Sequence, residues 1–115
     1  MKLINRCVLV IRPRQPYLDW AKGVGDGDPE GTLPYVVADT TAYLAPDVDA
    51  PDDIERFLRR YHKQIFEREL EGWWTDDADW PAPRDLPQFK QWFEVEVHTV
   101  VADLLGEPIL HEEFG

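Results

Sequence analysis

Between Ile54 and Ile65 the apolar residues Ile54, Phe57, Leu58, Tyr61 and Ile65 follow one another at steps of three, one, three and four. That spacing puts all five on one side of an α-helix and predicts a helix from about Pro51 to Leu70. A helix of this length must bury its stripe against a second layer, so the rest of the chain has to supply one. Asp52, Asp53 and Glu55 fall in the first turn, where negative charge complements the positive end of the helix dipole by about 0.3–1 kcal/mol each at low salt. Arg56, Arg59, Arg60 and Lys63 interleave with Glu55, Glu67, Glu69 and Glu71 on a wet outer face, with pairs such as Lys63 and Glu67.

The second layer is readable from three segments. Arg6 to Ile11, "RCVLVI", is a continuous aliphatic run too short for a helix, the pattern of a central strand covered on both faces. "FEVEVHTVV" alternates Phe93, Val95 and Val97 with Glu94, Glu96 and His98, the pattern of an edge strand with one solvated face. "YVVADTTAYLAP" reads as extended, with Thr41 to Ala45 its better strand. Two shorter helices are expected. One is "PYLDWAKG", opened by Pro16 and stopped by Gly23; the other is "DLPQFKQWF", capped by Asp85 and docked through Leu86, Phe89 and Trp92 or Phe93. "VGDGDPEGT" departs from the EF-hand spacing and reads as a solvated turn. "ADLLGEPILHEEFG" is expected to hold one helical turn, ended by Gly106 and Pro108, before an unstructured tail. The predicted fold is α/β (α+β): a small mixed sheet of three to four strands, the first at its centre, with helices packed on it and one long central amphipathic helix. A single globular domain, 1–115, is expected; a chain of this length buries about two thirds of the surface its unfolded form exposes.

The net charge of −11 narrows the function. Nucleic acid and anionic lipid both require Lys and Arg to replace released counterions, so direct binding of either is disfavoured, whereas a basic protein partner or a cation is attracted. No apolar run approaches the roughly 18–20 residues of a membrane span, and the expected location is cytoplasmic. The lone Cys7 lies beside an aliphatic run and reads as a small hydrophobe. Serine is absent, and the chain holds no P-loop, no HExxH and no zinc-type Cys/His spacing, so no cofactor or metal is implied.

Three constellations are candidate sites. "EGWWTDDADWPAPRD" places Trp74, Asp76, Asp77 and Trp80 in one connection that Pro81 and Pro83 restrict, either as a recognition surface or with Trp80 folded back as a plug on the core. Arg12 and Arg14 follow the central strand, where an anion could be held or local acids paired. Glu94, Glu96 and His98 share one strand face about 6–7 Å apart, a geometry open to metal binding or acid–base chemistry but also produced by ordinary alternation. The leading expectation is a small acidic interaction or binding module rather than an enzyme, using Trp74, Trp80 and the neighbouring aspartates toward a basic partner. The alternative is a metal-dependent or acid–base enzyme built on Glu94, Glu96 and His98. A third reading, carboxylates imitating nucleic acid phosphates, requires regular acid spacing on the folded surface.

The strings "RPRQPYLDW", "IFERELEGWWTDDADWP" and "WFEVEVHTVVADL" together resemble a group of small bacterial proteins of about this length. The resemblance covers most of the chain and implies common descent; it brings no activity, cofactor or binding residue with it.

Overall fold

The computed structural model describes residues 1–113. In chain order the elements are β1 (Lys2–Leu3), β2 (Arg6–Pro13), α1 (Gln15–Gly23), α2 (Leu33–Ala38), β3 (Thr41–Pro46), α3 (Glu55–Glu71), α4 (Leu86–Trp92), β4 (Phe93–His98) and β5 (Ala102–Asp103). A 3₁₀ turn, Pro51–Ile54, leads directly into α3, and a second one spans Asp77–Asp79. The α/β class, the three-stranded sheet and the long helix are as expected. The strand order is β3-β2-β4, so Arg6–Pro13 is central and Phe93–His98 lies at an edge.

Both pairings in that sheet are antiparallel, as is the separate β1–β5 pair, so the sheet is antiparallel rather than mixed. The reason lies in the connections. The chain turns back from β2 to its neighbour β3, and the connection through α3 and α4 then crosses to the far side of β2, so β3 and β4 run in the same direction but are kept apart by the antiparallel β2.

One face of the sheet is dry. Cys7, Leu9 and Ile11 of β2 are fully buried, joined by Ala45 of β3 and Phe93 of β4. Leu58, Ile65, Phe66 and Leu70 press onto them from the long helix, Ile54 from the 3₁₀ turn before it, and Phe89 and Trp92 from α4. The rings of Phe66, Phe89, Trp92 and Phe93 interlock, with Phe66 and Phe93 edge to face at 5.2 Å. Val8 and Val10 point the other way and are only half-buried, so the central strand is covered on one face and not on two.

Two local expectations are corrected. Leu33–Ala38 is a short helix and not extended chain. Its β-branched residues are outvoted by Pro34 in the first turn and by Asp28, whose carboxylate accepts the amides of Thr32 (2.8 Å) and Leu33 (3.0 Å). Desolvation works against the charged form of Asp28, but these bonds, with those from the Thr32 hydroxyl and the Gly31 amide, hold its carboxyl below the ordinary value. Ala102–Asp103 forms a strand pair with Lys2–Leu3 where a helical turn was expected. From Val8 opposite His98 to Leu3 opposite Ala102 the first strand spends five residues and the second four, so the ribbon bulges as it leaves the domain. The radius of gyration, 15.6 Å, exceeds the roughly 13 Å typical of a compact chain of this length, and residues 104–113 beyond the ribbon are all exposed. The last two residues of the expected tail lie outside the described residues.

Candidate functional site

The tryptophan connection folds inward. Trp73 donates its indole N–H to the Ala21 carbonyl (2.9 Å), Trp74 to the Asp79 carboxylate (3.0 Å) and Trp80 to the Trp74 carbonyl (2.8 Å). Trp20 closes the set by donating to the Asp79 carbonyl (2.9 Å). Asp76 caps the 3₁₀ turn by accepting from the Ala78 amide, and the Arg84 guanidinium lies 5.8 Å from the Trp80 ring while pairing with Glu67. Trp74 and Trp80 are half-buried, and their polar handles are already spent. Of the four residues expected to form a recognition surface, Asp76 and Asp77 remain exposed, while the indoles of Trp74 and Trp80 bond within the α3–α4 connection, which Trp73 and Trp20 tie to α1. The expected Lys63–Glu67 pair is replaced by Arg84–Glu67, which buries more of both partners than two neighbours on a wet helix face would.

Arg12 joins the strand face that carries the second constellation. Its guanidinium reaches the Glu96 carboxylate at 3.3 Å, and His98 Nε2 meets the same oxygen at 2.7 Å. Hydrogen bonds from His98 first, then from Arg12, hold Glu96 below the ordinary carboxylate range. Glu94 stands opposite Arg12 in the strand register. Among the described residues no group of three or more His, Cys, Asp or Glu is placed to hold a metal ion. The carboxylate of Glu96 is occupied by Arg12 and His98 rather than turned toward a ligand. Arg14 lies apart, at the start of α1, where its main chain bonds Trp92, Tyr17 and Leu18.

A different place has the shape of a site. A groove of about 650 Å³ runs along the first two turns of α3, floored by Phe57, Tyr61, Val48 and Pro46. The rings of Phe57 and Tyr61 stack at 4.5 Å with 27° between their planes, and the Arg60 guanidinium sits 5.2 Å from the Tyr61 ring. Asp52, Asp53 and Glu55 line it together with Arg56, Arg59 and Arg60, three charges of each sign. Glu55 is held by Lys90 of α4, which fixes that side of the groove to the core. The volume falls within the range of ligand-binding clefts.

Phe57 and Tyr61 were legible as part of the apolar stripe but not as a groove. The signal that separates them is the rest of the helix. Phe66 and Leu70 are buried too, which turns the core-facing centre of α3 toward Leu58 and Phe66 and leaves Phe57 and Tyr61 on its flank.

A smaller cavity of about 190 Å³ lies between α2 and the end of α3, lined by Tyr17, Thr41, Arg68 and Glu69 among others. Tyr17 donates to the Glu69 carbonyl (2.9 Å) and Tyr43 to the Glu69 carboxylate (2.7 Å). Burial, then the Glu69 charge, raises both phenols well above the ordinary tyrosine value, so both are neutral donors that fasten α3 to the sheet and to α1. Among the described residues no helix is long and apolar enough to cross a membrane. No family model matches this chain, and neither a curated protein nor a solved structure matches it, so its chemistry rests on these contacts.

Proposed function

We propose that the protein is a binding module for a basic protein segment carrying an apolar anchor, and that the segment lies in the groove beside α3. The observation that carries the reading is the stacked Phe57–Tyr61 pair, half-buried at the floor of a cleft of about 650 Å³ with charged residues along it. A rigid aromatic pair supplies large contact area at low entropic cost and is the usual anchor point of a protein interface.

Charge selects the partner. The groove lining is balanced, but the molecule carries −11, and Asp47 and Asp49 extend the acidic connection beside it. That field raises the encounter rate with a basic segment and lowers it with an acidic one. The reading moves the expected interaction surface from Trp74 and Trp80 to Phe57 and Tyr61, because the indole N–H groups of the former are already bonded within the chain.

Fluorescence anisotropy with three labelled peptides tests it: a Lys/Arg-rich peptide with one Trp anchor, the same peptide with the anchor replaced by Ser, and a Glu-rich peptide with the anchor kept. The anchored basic peptide should bind, more weakly as salt rises, and Phe57→Ala with Tyr61→Ala should reduce its affinity about tenfold or more while helical circular dichroism is retained. Equal binding to wild type and variant, or preference for the acidic peptide, defeats the proposal.

A further inference from the structure

The solvent-facing side of the β3-β2-β4 sheet is chemically unlike the rest of the molecule. Residues opposite one another in an antiparallel pair share a face. With Cys7, Leu9 and Ile11 in the core, the outer face therefore comprises four rows: Arg6 beside Pro46; Val8 between Leu44 and His98; Val10 between Ala42 and Glu96; and Arg12 beside Glu94. Its middle two rows are an apolar strip, with Leu44 51% exposed and Val8 and Val10 half-exposed. Its formal charge is zero, two arginines against two glutamates with histidine neutral, in a chain of net charge −11. A basic partner is drawn to the acidic remainder of the surface. On this face a second copy meets no net charge, unlike on the molecule as a whole.

We propose that a second copy of the chain packs here, sheet against sheet, about a two-fold axis that lies between the sheets and crosses the strands at the level of Leu9. The unpaired charges fix that axis. Among the described residues Arg6 makes no ion pair, its guanidinium bonding the neighbouring Asn5 carbonyl, and Glu94 makes none either. They stand at opposite ends of the face, six residues apart along β2. Rotation about this axis sets Arg6 of each copy level with the row of Arg12 and Glu94 of the other, Glu94 lying one strand spacing, about 4.8 Å, to the side; Arg12 is engaged by Glu96, so Glu94 is the charge left for Arg6, and both contacts form at once. The same operation puts Leu44 over Ala42, large on small, and His98 over Glu96. The strands of the two copies then run nearly antiparallel, compatible with aligned sheet packing about 10 Å apart.

The face is about 26 Å by 14 Å from strand geometry, small beside the roughly 800 Å² per partner of a standard interface. The dimer is accordingly reversible and concentration-dependent. Its salt response is distinctive. Because the two copies carry −11 each, screening their mutual repulsion should favour association, whereas the peptide complex proposed above weakens with salt.

Sedimentation velocity across concentrations up to about 500 μM tests it, the wild type shifting from one 13.4 kDa chain toward twice that mass and shifting further in higher salt. Leu44→Asp, Arg6→Glu and Glu94→Arg, all at exposed positions, should each hold the protein monomeric with an unchanged circular dichroism spectrum. The double variant Arg6→Glu, Glu94→Arg should dimerise again. A wild type that stays monomeric throughout, a Leu44→Asp variant that still dimerises, or a double variant that fails to recover overturns the proposal.

Discussion

Gly25 has φ 54°, and a Cβ built on it would lie 2.2 Å from the Trp74 ring, which its bond to Asp79 holds in place. Gly25→Ala should therefore lower stability by about 1–3 kcal/mol in urea unfolding, combining backbone strain with a displaced indole. Gly31, at φ 68° but with nothing within 4 Å, is the control: Gly31→Ala should cost only the strain, about 1 kcal/mol. Tyr43 makes a prediction with a pH sign. Its folded-state value lies above the ordinary 10.0, so the neutral phenol contributes in full below about pH 10 and its contribution is lost as pH rises beyond that. Tyr43→Phe should cost about 1 kcal/mol at neutral pH by removing the bond to Glu69, and should flatten the alkaline loss of stability measured by thermal melts from pH 8 to 11. None of these residue-level couplings was legible beforehand. Trp74 meets Gly25 across about fifty residues, and Trp73 reaches the Ala21 carbonyl over a separation of 52, so neither spacing nor period encodes the contact.

Elements were legible where a single period ran long enough. The long helix carries five apolar positions in register, and "FEVEVH" alternates without interruption, so both emerge where expected. Asp85 caps α4 by accepting from the Gln88 amide at 3.0 Å, as its place before "LPQF" implied. The failures are short elements decided by distant partners. Leu33–Ala38 has strand-like residues, yet a carboxylate five positions upstream fixes its first turn as helix. Asp28→Ala should accordingly raise hydrogen-exchange rates across residues 33–38 while leaving those of β2 unchanged. The same release should appear in the wild type as pH falls through the lowered Asp28 value, since a depressed carboxyl stabilises only while ionised. Strands β1 and β5 contain two residues each, below what any pattern can register.

At the scale of the molecule, the buried cluster and the residues packed against it run, among the described residues, from Cys7 to Val97 and include nothing from β5 onward. Ending the chain after Val101 should therefore shift the melting temperature by less than about 5 °C in a calorimetric scan, whereas Leu9→Ala, in the fully buried centre, should cost about 2–5 kcal/mol. Hydropathy foretold the long helix but not the groove beside it, because a groove is the space left between elements and not a property of any segment. The pairing of β2 with β4 joins residues 6–13 to 93–98. During synthesis the first of these leaves the ribosome roughly 4–16 s before the second, at ordinary elongation rates. For that interval Leu9 and Ile11 have no β4 beside them, so the newborn chain carries apolar surface that the finished protein hides.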